Sequence, residues 1–223
     1  MSKHGNWILD SLPAAELATI SFDLKTVTLQ KDAILFEPGV PANHIYFPTT
    51  SVISFLGDTG EGGCIEVWAV GCDGVAGVSS ILGKMKPFRG VVQVSGDALV
   101  AKVQSFRRQF QKYTEFHDAI LRYYDYLLVQ ISDLGICNNG HNIEQQFSRW
   151  LIMVQDRTRT SELKFTQDAI AGILRTRRAT ISVAAAALQN AGIISYTPGS
   201  IRIESRRKLQ RLACPCYKVI NSR

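Results

Sequence analysis

The chain has 223 residues, 46% of them hydrophobic, with a net charge of +6, enough for one large domain or two modest ones with real cores. It contains no run of 18 or more apolar residues, so no transmembrane helix is expected. The segment Met1 to Asp10 lacks an apolar core of signal-peptide length, so a cytoplasmic location is expected, and five irregularly spaced cysteines argue against a disulfide framework.

In chain order, Trp7-Ile8-Leu9 and Leu12 through Ile20 predict a short amphipathic helical lead-in, with Asp10 or Ser11 as a cap. From Lys25 the pattern alternates. Val27/Leu29, Ile34/Phe36, Ile45/Phe47, Val52/Ser54, Val67 to Val70, Val91 to Val94 and Ala98 to Ala101 are separated by turn residues. Short strands at this spacing predict a sandwich or barrel. The stretch Gly57 to Gly63 reads as a flexible hairpin loop, because it lacks the Gly-Lys-Ser/Thr and following helix of a phosphate loop. Phe106 to about Cys137 then turns helical. Phe116, Ile120, Tyr123, Leu127, Ile131 and Leu134 recur at intervals of three and four, flanked by Tyr124 and Leu128. Such a seam can pair with its symmetry mate as a coiled coil, or pack on its own chain; pairing is the reading preferred here. A further helix starts near Ile143 with Phe147, Trp150, Leu151 and Val154 on its apolar face, and Asp156 to Leu163 reads as polar loop.

The segment from Phe165 to Ile203 carries the clearest function signal. Thr166 is a good N-cap for a helix whose Ile170, Ala171 and Leu174 share a face. After a break at Arg175-Thr176, a second helix puts Ile181, Ala184 and Leu188 on one face. Arg177, Arg178, Thr180 and Ser182 lie along the polar edge at its start. This is helix, tight turn, helix, and the start of the second helix is the part that reaches base edges in a major groove. Ala191-Gly192 stops that helix. Ile193 to Tyr196 and Ser200 to Ile203 flank Thr197-Pro198-Gly199 as a hairpin, which makes a winged helix with Tyr196, Thr197 and Ser200 near its tip. Charge agrees: from Arg157 to the end there are 13 Lys/Arg against 3 Asp/Glu, which leaves 12 basic and 16 acidic residues before it. A basic third joined to a mildly acidic body suits a nucleic-acid-binding module on a regulatory body.

No nucleophile–base pair, paired carboxylates or nucleotide loop is evident, so the chain is not expected to be an enzyme. Cys64 and Cys72, in strand-rich sequence, read as core thiols. Cys137-x3-His141, with His141 in a loop, and Cys214-Pro215-Cys216 offer four ligand-type side chains. Cys-x-Cys is a weak motif, so no metal or other cofactor is expected, and buried, unreactive thiols are the default. His4, His44 and His117 stand alone.

The order strand-rich domain, long helix, winged helix resembles the Crp/Fnr superfamily of bacterial transcription regulators. The resemblance is carried by Glu144 to Leu151, Phe165-Thr166-Gln167-Asp168 and Arg177-Arg178-Ala179-Thr180, and in the first domain by Leu35 to Gly39, Ile45 to Pro48 and Gly71 to Gly77. It implies an α+β fold: a double-stranded β-helix (jelly-roll) sensor domain at 1–110, a dimerisation helix at 111–138 and a winged helix-turn-helix at 139–223. The family's cyclic-nucleotide pocket has a Gly-Glu pair for the ribose and an Arg about ten residues on for the phosphate. Here Gly77 is followed by Val78, and Arg89 is followed by Gly90-Val91 in place of the usual pair. An unmatched buried polar group costs roughly 1–3 kcal/mol, so Gly77, Val78 and Arg89 form at most a degenerate pocket. No cysteine precedes Cys64, unlike the iron–sulfur members. On the DNA side, Arg178 matches the family's base-reading Arg, able to hold guanine O6 and N7. Thr166, Gln167, Arg177 and Thr180 would lie toward phosphate. Ala179 and Val183 replace two other base-reading positions and suit a thymine methyl. Arg175 stands where the family usually has Gly, so a strained positive φ is expected there.

The expected function is therefore a homodimeric, sequence-specific DNA-binding transcription regulator that does not depend on cyclic AMP. Its partners would be double-stranded DNA and, for activation, RNA polymerase, with no membrane association and an effector that the sequence does not name. The alternatives are a ligand- or thiol-redox-gated sensor using Cys214 and Cys216, or a scaffold that binds no DNA.

Overall fold

A computed structural model describes residues 4–60, 63–81, 87–112 and 114–221; Glu61 and Gly62 of the glycine-rich loop lie outside them. The chain forms two compact units, Met1–Leu127 and Leu128–Arg223. Among the described residues no helix is long and apolar enough to cross a membrane.

In the first unit, helices α1 (Trp7–Asp10) and α2 (Ala14–Ser21) precede seven strands among the described residues. Asn6, not Asp10 or Ser11, starts α1: its Oδ1 accepts from Ile8 N at 3.1 Å, and its buried amide donates to Pro48 O and Gly74 O at 2.9 and 2.8 Å. Asp10 instead accepts from His4 N and Ser11 donates to Ile8 O, while α2 starts after Pro13 with no side-chain cap.

The strands are β1 (Lys25–Leu29), β2 (Ile34–Phe36), β3 (His44–Pro48), β4 (Val52–Asp58), β5 (Cys64–Val70), β6 (Phe88–Val94) and β7 (Gly96–Lys102). They form two antiparallel sheets, β1-β7-β3 and β2-β6-β4-β5. The period-2 alternation of β7 explains the layering. Ala98 and Val100 belong to one core with Leu29, Ile53, Phe55 and Val92, which draws on both sheets. Leu99 and Ala101 join the other core, with Ile45 and Phe47 of β3 and residues of the helices. This is the jelly-roll-like sandwich expected, and among the described residues the sheets do not close into a barrel. Val78–Ser80 is a short 3-10 turn.

Helix α3 (Val103–Lys112) and the 27-residue α4 (Thr114–Gly140) follow. Here the first half of the expected seam is corrected. Phe116, Ile120 and Tyr123 are 0%, 1% and 6% exposed, packed in the core of their own unit. The Phe116 ring meets Phe106 edge-on at 5.2 Å. A Cβ on Gly74 would stand 2.4 Å from Tyr123, so the glycine makes room for that ring. Periodicity locates an apolar stripe but not its neighbour. Leu127, Ile131 and Leu134 are half-buried, while Leu121, Leu128 and Ile136 are exposed at 52%, 64% and 60%.

In the second unit, α5 (Ile143–Thr158) opens with a capping box. Asn142 Oδ1 accepts from Gln145 N, and Gln145 Oε1 accepts from Asn142 N. Phe147, Trp150, Leu151 and Val154 are buried as expected. The expected loop from Asp156 to Leu163 is shorter than read: α5 runs to Thr158, and Glu162–Leu163 is a strand, β8, paired with a later one. Then come α6 (Gln167–Ile173), α7 (Arg178–Asn190), β9 (Ile194–Thr197), β10 (Ser200–Ile203), α8 (Arg206–Leu212) and α9 (Cys216–Asn221). The small sheet runs β8-β10-β9.

Candidate nucleic-acid interface

The interface is built on α6 and α7. Thr166 Oγ1 accepts from Ala169 N at 3.2 Å, the cap the sequence predicts. Ile170, Ala171 and Leu174 are buried, as are Ile181, Ala184 and Leu188 of α7, so the two apolar faces form one core layer. The link is tight: Leu174 N donates to Ile170 O at 2.9 Å and Thr176 N to Ala171 O at 3.0 Å. Arg175 takes the left-handed conformation at φ 53°, as expected. For a residue with a Cβ this costs about 1–2 kcal/mol, and its side chain is exposed.

With its apolar face buried, α7 turns the rest outward. Arg177, Arg178, Ala179, Ser182 and Val183 are exposed, and Thr180 is half-buried. Val183, at 70% exposure, is an apolar side chain left in water. Arg177 holds the N-cap position, and no side chain caps the helix there. Unpaired N–H groups and the positive end of the helix dipole favour an anion at such an end. Arg178 Nε lies 3.4 Å from Asp168 Oδ2, both side chains well exposed. Such a pair is worth at most about 1 kcal/mol. Ala179, Thr180 and Val183 also line a shallow cleft with Ile143, Glu144 and Ala184.

The wing forms as predicted. Thr197 pairs with Ser200 across Pro198-Gly199, and Gly199 has φ +81°, the arrangement a type II turn demands. Tyr196 is half-buried on β9, and its N–H donates to Gln189 Oε1 at 2.8 Å. Ser200 Oγ lies 3.3 Å from Glu162 Oε1 and 3.4 Å from Lys164 Nζ, so it is already engaged. Lys164, bonded to Glu162, holds that carboxyl below the usual range. Lys164 and the β8 edge were missed by sequence reasoning, because a two-residue strand has no periodicity to read.

The residues of the degenerate pocket are held by different neighbours. Gly77 has φ +92°, and a Cβ there would stand 2.7 Å from His44 O. Val78 is buried at 4% exposure, in the core. Arg89 Nε pairs with Glu37 Oε2 at 3.0 Å at the surface. Near them the rings of Tyr46, Phe36, Phe55, Trp68 and Phe88, mostly half-buried, follow one another at centroid distances of 5.6, 5.5, 4.5 and 4.8 Å.

Cys64, expected as a core thiol, is exposed at the start of β5, whereas Cys72 is buried. Cys137, His141, Cys214 and Cys216 come together, although the two pairs are far apart in sequence. The hydrogen bond with Cys214 lowers the pKa of the Cys137 thiol, with Arg149 contributing; the same bond, with burial, pushes Cys214 up. Burial also raises the Cys216 thiol.

Residues 145–212 match the family model of the Crp-like helix-turn-helix domain. A comparison with curated protein sequences gives no match. Solved structures of similar fold include FixK2 from Bradyrhizobium japonicum, 15% identical over 86% of this chain and 98% of that one, with a TM-score of 0.71. A CRP-family transcriptional regulator from Thermus thermophilus is 14% identical over 84% and 96%, with a TM-score of 0.69. The c-di-GMP-responsive global regulator CLP of Xanthomonas campestris is 11% identical over 86% and 100%, with a TM-score of 0.66.

Proposed function

From a Crp-like helix-turn-helix domain carried on the fold of Crp/Fnr-type transcription regulators, we propose a homodimer that reads a palindromic DNA site without cyclic AMP. The observation that carries this reading is the start of α7, where Arg177, Arg178, Ala179 and Ser182 face outward around a helix end that no side chain caps. Arg178 reads a guanine, and Ala179 and Val183 offer methyl groups to thymine. Thr166, Gln167, Arg175, Thr176, Arg177 and Thr180 lie toward phosphates, as do Tyr196 and Ser200 of the wing.

Dimerisation uses α4 on a seam one step round from the buried stripe. Leu121, Tyr124, Leu128, Ile131 and Gly135 follow a 3,4,3,4 spacing. Leu121 and Leu128 are exposed, and a Cβ on Gly135 would meet nothing within 4 Å. Two copies then present two recognition helices to half-sites about 34 Å apart. Independence from cyclic AMP is supported by Val78 in place of a carboxylate and by the Arg89–Glu37 pair. The protein acts by binding, not catalysis, in the cytoplasm, with RNA polymerase as a further partner where it activates.

The test is selection from random duplex DNA, followed by anisotropy titration of the selected site with and without cyclic AMP. A palindrome bound equally in both supports the proposal; binding only with cyclic AMP overturns the effector part, and no selected site overturns the whole. A second reading, gating by thiol oxidation, draws on the 3.4 Å approach of Cys137 and Cys214 Sγ. DNA affinity that stays constant while the free-thiol count falls excludes it.

A further inference from the structure

The end of α4 and the Cys214-Pro215-Cys216 segment between α8 and α9 bring four ligand side chains to one point. Cys137 and His141 are four residues apart, so one helical turn puts both on the same face. His141 N still donates to Cys137 O at 3.2 Å, carrying that turn past Gly140. Cys137 Sγ and Cys214 Sγ are 3.4 Å apart, and Cys216 Sγ is 3.8 Å from His141 Nδ1. All four ligand atoms lie within 4.8 Å of one another. A tetrahedral Zn2+, with bonds of about 2.3 Å to sulfur and about 2.0 Å to nitrogen, holds its ligands roughly 3.5–3.8 Å apart. The sulfurs are well beyond the length of a disulfide, about 2.05 Å.

A second observation points the same way. Arg149 is a charged side chain only 4% exposed, and its Nε has no hydrogen-bond partner among the described residues. Its Nη1 donates to the soft acceptor Met153 Sδ at 3.3 Å. Its positive charge acts on Cys137, Cys214 and Cys216 alike. Buried Asp133 lies near enough for Arg149 to lower its carboxyl pKa while burial raises it, and a buried cation of this kind still favours further anionic groups beside it. Three thiolates and one neutral imidazole around Zn2+ carry a net charge of −1, which Arg149 balances.

We propose that Cys137, His141, Cys214 and Cys216 form a tetrahedral zinc site that ties the last helix of the winged-helix unit to the end of α4. Binding takes Zn2+ from solvent and releases three thiol protons to water, while His141 offers the lone pair of Nδ1; no electron is transferred. Four protein ligands leave no open position, so the site is structural. It goes beyond the DNA-binding reading and does not depend on it.

The test uses the untagged full-length chain, purified without chelators, with metal content measured by plasma mass spectrometry. We expect about one zinc per chain. Cys64→Ser keeps it, and Cys214→Ser and Cys216→Ser lose it. Exchange with Co2+ gives the intense visible bands of tetrahedral thiolate coordination, and His141→Cys keeps the metal but shifts those bands as sulfur replaces nitrogen. Folded chain, by circular dichroism, that takes up no zinc from added Zn2+ overturns the proposal. So does zinc retained by the Cys214→Ser/Cys216→Ser double variant, iron with acid-labile sulfide in its place, or a Cys137–Cys214 disulfide in freshly isolated protein. Zinc held by a chain that binds no DNA refutes the regulator reading alone; DNA bound by a native-sequence chain that takes up no zinc from added Zn2+ refutes the metal site alone.

Discussion

The corner of the sandwich around Arg89 and the start of α7 around Arg178 present one residue type in two settings. Both arginines are exposed, and both are in ion pairs, Arg89 with Glu37 at 3.0 Å and Arg178 with Asp168 at 3.4 Å. Beside Arg89 the backbone is crowded: Val78 is in the core, and a Cβ on Gly90 would stand 2.3 Å from Phe36. Around Arg178 the space is left open, with Arg177, Ala179, Ser182 and Val183 turned to solvent and no side chain over the helix end. An arginine in register with a binding motif is therefore not enough. What its neighbours do with the surrounding volume decides whether a ligand has anywhere to go.

That contrast can be pressed hardest on α4, where the same distinction between crowded and open applies. Phe116→Ala should cost about 3–5 kcal/mol of unfolding free energy, equally at every protein concentration, because the ring is buried in its own unit. Leu128→Ala should leave that stability nearly unchanged and weaken self-association. Denaturation at several concentrations, with sedimentation, separates the two; a concentration-dependent loss for Phe116→Ala would restore it to the dimer seam. Next in size, Arg178→Ala should lose about 1–3 kcal/mol of discrimination at one base pair per half-site. Competition titrations with that base pair replaced read this out, and an unchanged preference would remove Arg178 from base reading.

Two smaller effects sharpen the comparison. Arg175→Gly should relieve the left-handed strain and raise stability by about 1 kcal/mol. The same change should lower the slope of log affinity against log salt by about 0.9 for each phosphate no longer neutralised. A steeper slope would contradict a phosphate role. Smallest of all, Arg89→Ala should change stability by no more than about 0.5 kcal/mol and leave DNA affinity indifferent to cyclic AMP. A cyclic-AMP response that disappears in this variant would mean the crowded corner opens.

The winged helix was legible because its signals are local. Thr166 caps within three residues and Pro198-Gly199 specifies its own turn, whereas the positive φ of Arg175 is expected only from the resemblance, which puts Gly at that position. Strand β8 was not legible, because Glu162 and Leu163 become a strand only by meeting Arg202 and Ile201. The seam of α4 was half legible: the stripe is real, but its upper residues found the sandwich instead of open space. The thiol–histidine cluster lay hidden in plain spacing, since Cys137 and Cys214 are 77 residues apart and nothing local announces that they meet. In the sandwich, alternation gave away the strands, while the burial of Val78 and the surface pairing of Arg89 depend on β2, β3 and the loop from Gly71 to Gly77 coming together in space.

The Asp168–Arg178 pair bears on how the protein would search a chromosome. If Arg178 reads a base as proposed, its guanidinium, paired with Asp168, would meet DNA partly discharged. Letting go of Asp168 costs no more than about 1 kcal/mol, which a well-formed guanine contact recovers at about 1–3 kcal/mol and a wrong base does not. On the proposed reading of Arg178 the carboxylate would act as a brake against lingering: over non-cognate sequence the arginine would stay on Asp168 and the protein would move on. Asp168→Asn chains should dwell longer on random DNA, visible as a higher non-specific affinity at low salt, while gaining little at the true site.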